Sequence, residues 1–273
     1  MRGSWLLALA IVAGGAGVAR ADYANIGGLK MYYEVHGAGP PLLLLHGGTT
    51  TIAYSFGKQL ARWSKTHRVI AVEQMGHGHT PDLPARAFSY ERMAEDTAAL
   101  LARLKVASVD IVGWSDGANI GMTLAMKHPQ LVRKLVVSGP NARDGRDAEF
   151  EQWLETGKPE EWPSDIRDAY VAVSPDGAAH WPVLLERVKK MWLAFDGWND
   201  KELAAIRAPV LLIVGDEDWV RTEYAVELHR AIDDSRLYVV PGTQHATFRQ
   251  RPEWVNPVIE AFLAEPMPAT GKP

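Results

Sequence analysis

Short apolar runs recur along the chain with helical patterns between them, and this alternation constrains the fold most. Seven runs have strand character, namely Leu29–Val35, Leu42–Leu45, Val69–Val72, Val109–Val112, Leu135–Val137, Val210–Val214 and Leu237–Val240. Several consist of leucine or β-branched residues throughout, which is typical of parallel strands buried on both faces. Between two of them, Tyr90–Leu104 carries apolar residues at helical spacing. The alternation predicts an α/β fold, with a mostly parallel sheet and helices on both faces.

The alternation stops between residues 141 and 206. This stretch is polar and helix-like, and it holds five of the ten tryptophans: Trp153, Trp162, Trp181, Trp192 and Trp198. We predict that it is a helical cap inserted into a core formed by residues 22–140 and 207–265. The tryptophans can form the cap's own core, but a cap also turns some apolar surface towards a ligand. Trp162 and Trp192 are therefore candidate substrate-binding residues.

The first 21 residues have the pattern of a secretory signal peptide. Arg2 supplies a positive charge, Leu6–Val12 is apolar, and Ala19-Arg20-Ala21 resembles a cleavage site. An uncleaved membrane anchor is the alternative, but a spanning helix needs roughly 20 apolar residues. We expect residues 1–21 to be removed and the mature protein to be periplasmic or secreted. At the other end, residues 266–273 are predicted to be a disordered tail.

The composition indicates a globular protein, with 47% hydrophobic and 23% charged residues. The formal net charge is −4 and no basic run occurs, so nothing indicates a nucleic-acid partner. The chain has no cysteine, and an oxidising compartment would therefore not stabilise it through disulfides.

The stretch Gly113-Trp114-Ser115-Asp116-Gly117 follows a predicted strand and precedes the helix-like segment Ala118–Lys127. It fits the nucleophile elbow, in which a serine lies on a strained turn between a strand and a helix. Small flanking residues are expected there because larger side chains would collide as the backbone turns back. Serine is also common in ordinary turns, so the motif needs a base and an acid elsewhere in the chain.

Both partners occur downstream, each just after a predicted strand. Gly215-Asp216-Glu217-Asp218 follows the strand at 210–214, and Pro241-Gly242-Thr243-Gln244-His245 follows the strand at 237–240. A serine hydroxyl needs a base, usually histidine, and a carboxylate that orients it. The order serine, acid, histidine is the one found in α/β folds that carry a nucleophile elbow. The sequence thus predicts a triad of Ser115, His245 and a carboxylate after the 210–214 strand.

Other interpretations of these polar residues are metal sites. Asp216, Glu217 and Asp218 could ligate a hard cation, as carboxylate clusters do. His77 and His79 could form a metal-binding pair. We expect these histidines instead in a surface loop, where Gly76 and Gly78 form the turns. No metal or other cofactor is predicted.

Acyl transfer also requires hydrogen-bond donors for the developing oxyanion. One is the backbone N–H of Asp116, which follows the candidate nucleophile, and the other comes from the loop after an early strand. In the loop Leu45-His46-Gly47-Gly48-Thr49, we assign the backbone N–H of Gly48 as this second donor, with that of Thr49 as the alternative. His46 is expected to brace this loop rather than act as the base.

The side chains on either side of the candidate nucleophile are unusual for their position. Trp114 is a further candidate for substrate binding. A carboxylate at Asp116, next to a developing oxyanion, is electrostatically unhelpful unless another role offsets it. Two roles are open: Asp116 caps the following helix, whose N-terminal dipole favours an acid, or it pairs with an ammonium group on the substrate.

Taken together, LLLLHGG, EQMGHGHTPD, GWSDGAN, GDEDWV and PGTQHATF resemble the α/β-hydrolase superfamily. The elbow and the HPQLVRKLVVSGPNA after it are similar to biphenyl hydrolase-like (valacyclovir hydrolase-like) serine esterases. The resemblance implies the α/β-hydrolase fold, with a mostly parallel eight-stranded sheet and a helical lid, and no cofactor. It also implies that the acid lies three residues after Gly215, at Asp218. One departure is Glu73-Gln74-Met75-Gly76, where relatives often have Asp-x-Arg-Gly.

We therefore expect a serine hydrolase that cleaves small carboxylic esters through an acyl-enzyme. Hydrolysis of a C–C bond, a lactone or an amide on the same fold is the alternative, since a fold does not fix a substrate. A non-catalytic ligand-binding protein on this scaffold is a second alternative. A serine at position 115 argues against haloalkane dehalogenases and epoxide hydrolases of this fold, which use aspartate.

Overall fold

A computed structural model of the protein describes residues 20–267. Residues 1–19 and 268–273 lie outside the described residues, and with them most of the predicted signal peptide and most of the predicted tail. The strand that opens the described part begins at Arg20, so the last two residues of the predicted signal peptide belong to it. None of the helices between residues 20 and 267 combines the length and apolar character needed to cross a membrane.

The described residues form one eight-stranded sheet in the order β1-β2-β4-β3-β5-β6-β7-β8. Strands β1 and β2 pair antiparallel, as do β2 and β4, and the other neighbours are parallel. The strand bounds are β1 Arg20–Ile26, β2 Leu29–His36, β3 Pro41–Leu45, β4 Arg68–Val72, β5 Val109–Trp114, β6 Val132–Ser138, β7 Val210–Gly215 and β8 Ser235–Val240. The predicted mostly parallel sheet is confirmed.

Helices cover both faces of this sheet. On one face, α2 (Tyr90–Arg103), α3 (Asp116–Lys127) and α8 (Thr222–Ala231) contribute to the larger apolar core. On the other, α1 (Ile52–Trp63), α9 (Thr247–Gln250) and α10 (Pro252–Ala264) pack into a second core. The continuous apolar strands β3 and β5 supply residues to both cores because successive side chains point to opposite faces.

Four further α-helices lie between β6 and β7, and residues of three of them line the same cavity as Ser115 and His245. They are α4 (Ala148–Thr156), α5 (Ser164–Val171), α6 (Trp181–Ala194) and α7 (Asp200–Leu203). All four fall inside the stretch predicted as the cap. Polar contacts join this region to the core: Asp82, in the loop after β4, accepts hydrogen bonds from Arg187 at 2.7 Å and from His180 at 3.1 Å.

Two local expectations were wrong. Strand β1 had no counterpart among the predicted strands, because its polar sequence buries only two of seven residues. The His77–His79 segment is not a surface loop, since His77 is only 1% exposed. Its Nδ1 lies 2.9 Å from the carbonyl oxygen of Met75. Gly76 and Gly78 do adopt the positive φ angles of turns, 76° and 54°.

Candidate active site

Ser115 lies on a sharp turn between β5 and α3, with a φ of 55° and a ψ of −118°. Such a backbone conformation is strained for any residue other than glycine. The two flanking glycines permit the turn. A Cβ on Gly113 would lie 2.3 Å from the carbonyl oxygen of Gly117, and one on Gly117 would lie 1.9 Å from that of Leu45. The turn therefore depends on glycine at both positions.

The structure brings Ser115, His245 and Asp218 together at the carboxyl ends of β5, β8 and β7. The Oγ of Ser115 is 2.8 Å from Nε2 of His245. Nδ1 of His245 lies 2.9 and 3.1 Å from the two carboxylate oxygens of Asp218. Asp216, the other carboxylate considered, instead accepts a hydrogen bond from the backbone N–H of Thr243.

The imidazole of His245 is also enclosed by its neighbours. The ring centroid of Trp219 lies 4.1 Å from that of His245, and the ring of Phe150 stacks on Trp219 at 3.9 Å. A Cβ on Gly139 would approach Cε1 of His245 to 2.7 Å. Trp114 donates from Nε1 to the carbonyl oxygen of His245 at 2.8 Å. Neither ring was predicted to lie here: Trp219 belongs to the GDEDWV motif but was given no role, and Phe150 lies outside every motif.

The loop after β3, predicted to supply an oxyanion donor, lines the same cavity as Ser115 through Gly47 and Gly48. His46 braces it: Nδ1 lies 2.7 Å from the carbonyl oxygen of Gly47, and Nε2 accepts from the backbone N–H of Gln74 at 3.0 Å. These partners imply that Nδ1 carries the proton, and burial lowers the pKa of His46. Gly48 lines the cavity beside Ser115. Thr49 has a φ of 60° and accepts a hydrogen bond from Nε1 of Trp162 at 3.0 Å.

Asp116 is the first residue of α3, so its N–H has no acceptor within the helix. Its side chain does not cap α3, contrary to one of the two roles considered. Instead, Oδ1 accepts from the hydroxyl of Tyr90 and from Nε1 of Trp192, both at 2.7 Å. Oδ2 is buried without a hydrogen-bond partner among the described residues, and burial raises the pKa of this carboxyl. The carboxylate thus joins α2, α3 and the cap helix α6.

A cavity of about 610 Å³ opens above Ser115 and His245. Its wall contains the three tryptophans predicted to bind substrate, Trp114, Trp162 and Trp192. Two further tryptophans, Trp153 and Trp219, also line it. Trp181 packs against Tyr170, and Trp198 packs against Phe195. The cap therefore uses its tryptophans both for its own packing and for the cavity wall.

The Glu73–Gly76 departure has a structural explanation. Glu73 is 1% exposed and accepts hydrogen bonds from the backbone N–H groups of Ile52 and His79, at 3.0 and 2.6 Å. Nδ1 of His79 lies 2.9 Å from the same carboxylate, which raises the pKa of His79. Glu73 thereby fixes the loop after β4 to the start of α1. Between residues 20 and 267, no group of three histidine, cysteine or acidic side chains is arranged to hold a metal ion.

Comparison with known proteins places these features in a family. Residues 42–258 match the Alpha/beta hydrolase family. The serine hydrolase BPHL of Homo sapiens is 27% identical, covering 87% of this chain and 84% of its own length. The putative carbamate hydrolase RutD of Azorhizobium caulinodans is 30% identical, covering 89% of this chain and 98% of its own.

A solved structure shares the same fold. The 2-hydroxy-6-oxo-6-phenylhexa-2,4-dienoate hydrolase of Rhodococcus sp. strain RHA1 superposes with a TM-score of 0.76 at 19% identity, covering 90% of this chain and 99% of that one. The family match spans most of the chain, including β3, the elbow and the strands that precede Asp218 and His245. The chain therefore belongs to the α/β-hydrolase family, as the resemblance of its motifs implied, and it is a hydrolase.

Proposed function

We propose that the protein hydrolyses small carboxylic esters through an acyl-enzyme on Ser115. The observation that carries this proposal is the unbroken chain of contacts from Oγ of Ser115 through the imidazole of His245 to the carboxylate of Asp218. Such a chain activates a hydroxyl, because the imidazole accepts its proton while the carboxylate stabilises the imidazolium that forms.

In the first half-reaction, Oγ of Ser115 bonds to the carbonyl carbon as Nε2 of His245 takes the hydroxyl proton. The backbone N–H groups of Gly48 and Asp116 stabilise the resulting oxyanion. When the tetrahedral intermediate collapses, the C–O bond to the alcohol breaks and His245 returns the proton to the departing oxygen. Water then attacks the acyl-enzyme by the same route and releases the acid and free Ser115.

Replacing the candidate nucleophile tests the proposed ester hydrolysis. Ser115→Ala should lose on the order of 10⁶ in kcat on p-nitrophenyl esters, as serine hydrolases do when the nucleophile is removed. A phosphonate probe should add to the wild-type protein, measured by intact mass, and should not add to Ser115→Ala. A fully active Ser115→Ala would exclude the mechanism.

A substrate screen tests which type of bond the enzyme cleaves. The relatives are named for different substrates, among them a carbamate and a dienoate. p-Nitrophenyl esters of several chain lengths are therefore compared with lactones, amides and dienoates. Esters should give the highest kcat/KM. Tight binding of all these compounds without turnover would instead indicate a ligand-binding protein.

We further propose that the enzyme acts outside the cytoplasm, in the periplasm or the medium. The support is the signal-peptide pattern of residues 1–21. Fractionation of cells that express the full chain should find the enzyme outside the cytoplasm, with Ala21 as the last residue removed. A cytoplasmic protein that retains its N-terminus would contradict this proposal.

A further inference from the structure

The cavity above Ser115 has a wall of aromatic rings supplied by the cap. The rings of Phe150, Trp153, Trp162 and Trp192 form a closed circuit in which successive centroids are 4.8–6.1 Å apart. Trp219 extends this wall to His245. Aromatic faces carry negative electrostatic potential and attract cations, including quaternary ammonium groups, which cannot donate N–H hydrogen bonds.

The same cavity is lined by acidic side chains and by no lysine or arginine among the described residues. The acidic residues are Asp147, Glu149, Glu161 and Glu217. Two cations lie behind its aromatic wall, Lys189 over the ring of Trp153 and Arg249 over that of Tyr54, so the carboxylates outnumber the cations at the cavity. Between residues 20 and 267, the ion pairs of the structure use other carboxylates. Asp147 and Glu161 accept hydrogen bonds only from backbone N–H groups, which leave their negative charge in place. A cleft lined by charges of one sign attracts ligands of the opposite sign.

We propose that the preferred substrates are esters that carry a cationic group, such as a trimethylammonium, within reach of this aromatic and acidic wall. This inference rests on the proposed ester hydrolysis and specifies its substrate class. The aromatic rings provide the contact surface for the cation, and the carboxylates set the sign of the charge that enters. The Asp116 carboxylate is not part of this wall, because Asp116 does not line the cavity and its Oδ1 accepts from Tyr90 and Trp192 behind it.

The inferred substrate preference differs from that of some proteins that share this fold. A dienoate, the substrate in the name of the Rhodococcus enzyme, is an anion. Four carboxylates in a cavity wall whose described residues include no lysine or arginine would repel such a substrate on its approach and inside the cavity. Anionic esters and dienoates should therefore be the poorest substrates.

The first test compares three acetates of similar size. Acetylcholine carries the cation, 3,3-dimethylbutyl acetate replaces the trimethylammonium with an uncharged tert-butyl group, and 4-acetoxybutanoate carries an anion. At low ionic strength, kcat/KM for acetylcholine should exceed that for the uncharged ester by roughly tenfold, with the anion lower still. Salt at about 0.5 M should narrow the difference, since it screens the exposed carboxylates. Equal rates for the three esters, or a preference for the anion, would overturn the inference.

Variants in the cavity wall identify the residues that produce the preference for the cationic ester. Glu149→Gln and Glu217→Gln should each lower the ratio of kcat/KM for acetylcholine to that for the uncharged ester by roughly threefold, as expected for an exposed charge. Trp153→Leu should lower the same ratio. The matched control is Glu155→Gln, on the same helix α4 but outside the cavity, and it should leave the ratio unchanged. A ratio that responds equally to Glu149→Gln and Glu155→Gln would overturn the assignment.

A binding measurement tests the preference of the cavity for a cation separately from catalysis. Choline and 3,3-dimethylbutan-1-ol are titrated into Ser115→Ala and followed by tryptophan fluorescence, since five tryptophans line the cavity. Tighter binding of choline supports the inference, and equal or weaker binding overturns it. Serine-dependent hydrolysis of the uncharged ester without a preference for the cation would leave the proposed function standing and remove only this inference.

Discussion

At the scale of single residues, two carboxylates that follow β7 have different surroundings. Asp218 contacts His245, whereas Asp216 accepts from the backbone of Thr243. Asp218→Asn should therefore lower kcat by about 10⁴, because the amide stabilises the wrong histidine tautomer. Asp216→Asn provides the matched control and should cost far less. Steady-state kinetics on one p-nitrophenyl ester measures both, and the reverse ranking would assign the acid to Asp216.

Trp219 is positioned to hold the imidazole of His245, because its ring lies against the imidazole, tilted by 35° at a centroid distance of 4.1 Å. Trp219→Leu should lower kcat about tenfold, because an aromatic pair contributes on the order of 1 kcal/mol and the base becomes less well placed. Trp219→Phe keeps a ring and should recover most of this loss. Trp254→Leu, at an exposed site, controls for the loss of a tryptophan. If both Trp219 variants keep the wild-type kcat and change only KM, Trp219 contacts substrate alone.

The proximity of Ser115, Asp218 and His245 could be predicted because each follows a strand of one parallel sheet, and such strand ends share an edge. The contact of Phe150 with Trp219 beside His245 could not be predicted. It joins a cap helix to a loop after β7, and no spacing along the chain encodes that contact. The bonds from Tyr90 and Trp192 to Asp116 escaped prediction for the same reason.

At the scale of elements, prediction was best where one strong periodic signal covers the whole element. The segment predicted to be helical at 90–104 forms α2, Tyr90–Arg103, and Ser89 caps it by accepting from the N–H of Arg92. The buried strands were found because both of their faces are apolar. Strand β1 was not predicted. It pairs with β2 along its whole length, and backbone hydrogen bonds of this kind require no pattern of apolar side chains.

The C-terminal end of α10 depends on a lysine from β6. Lys134 is 1% exposed, and its Nζ donates to the carbonyl oxygens of Phe262 at 2.8 Å and Leu263 at 2.9 Å, and also to that of Glu265. The last carbonyl groups of a helix have no intrahelical donors, and a cation there also favours the helix dipole. Lys134 therefore fixes α10 to the sheet.

Lys134→Met keeps the length of the side chain but leaves these carbonyl groups without their donor. The free energy of unfolding should fall by about 1.5–3 kcal/mol, the range for hydrogen bonds to a charged group. Urea denaturation measures this loss. The backbone amides of α10 should also exchange their hydrogens faster in Lys134→Met than in wild type, before those of other elements do. Lys65→Met, at an exposed position, should change stability little. Equal stability of both variants would show that Lys134 does not anchor α10.

At the scale of the whole molecule, the buried histidines make stability depend on pH. His46, in the loop after β3, and His77, in the loop after β4, are buried with their ring centroids 5.1 Å apart. Burial, together with the nearby His46, lowers the pKa of His77 from 6.5 to about 3. The folded protein therefore keeps His77 neutral at pH values where the unfolded chain protonates it.

The sign of the effect follows from proton binding. Below pH 6.5 the unfolded chain binds a proton at His77 that the folded chain does not bind until about pH 3, so acid favours unfolding in this window. Each such histidine contributes a loss of up to about 1.4 kcal/mol of unfolding free energy per pH unit. Above pH 6.5 its contribution should be constant, because the imidazole is then neutral in both states.

Urea denaturation of wild type and His77→Gln at intervals between pH 7.5 and about 4 tests this dependence. His77→Gln should be less stable near neutral pH, since it replaces a buried ring, but its stability should fall less steeply with acid. His67→Gln, at a partly exposed site, should follow the slope of the wild type. If His77→Gln loses stability with acid as steeply as wild type, His77 is not the group that binds the proton on unfolding, and the slope must come from His46 or from the carboxylates.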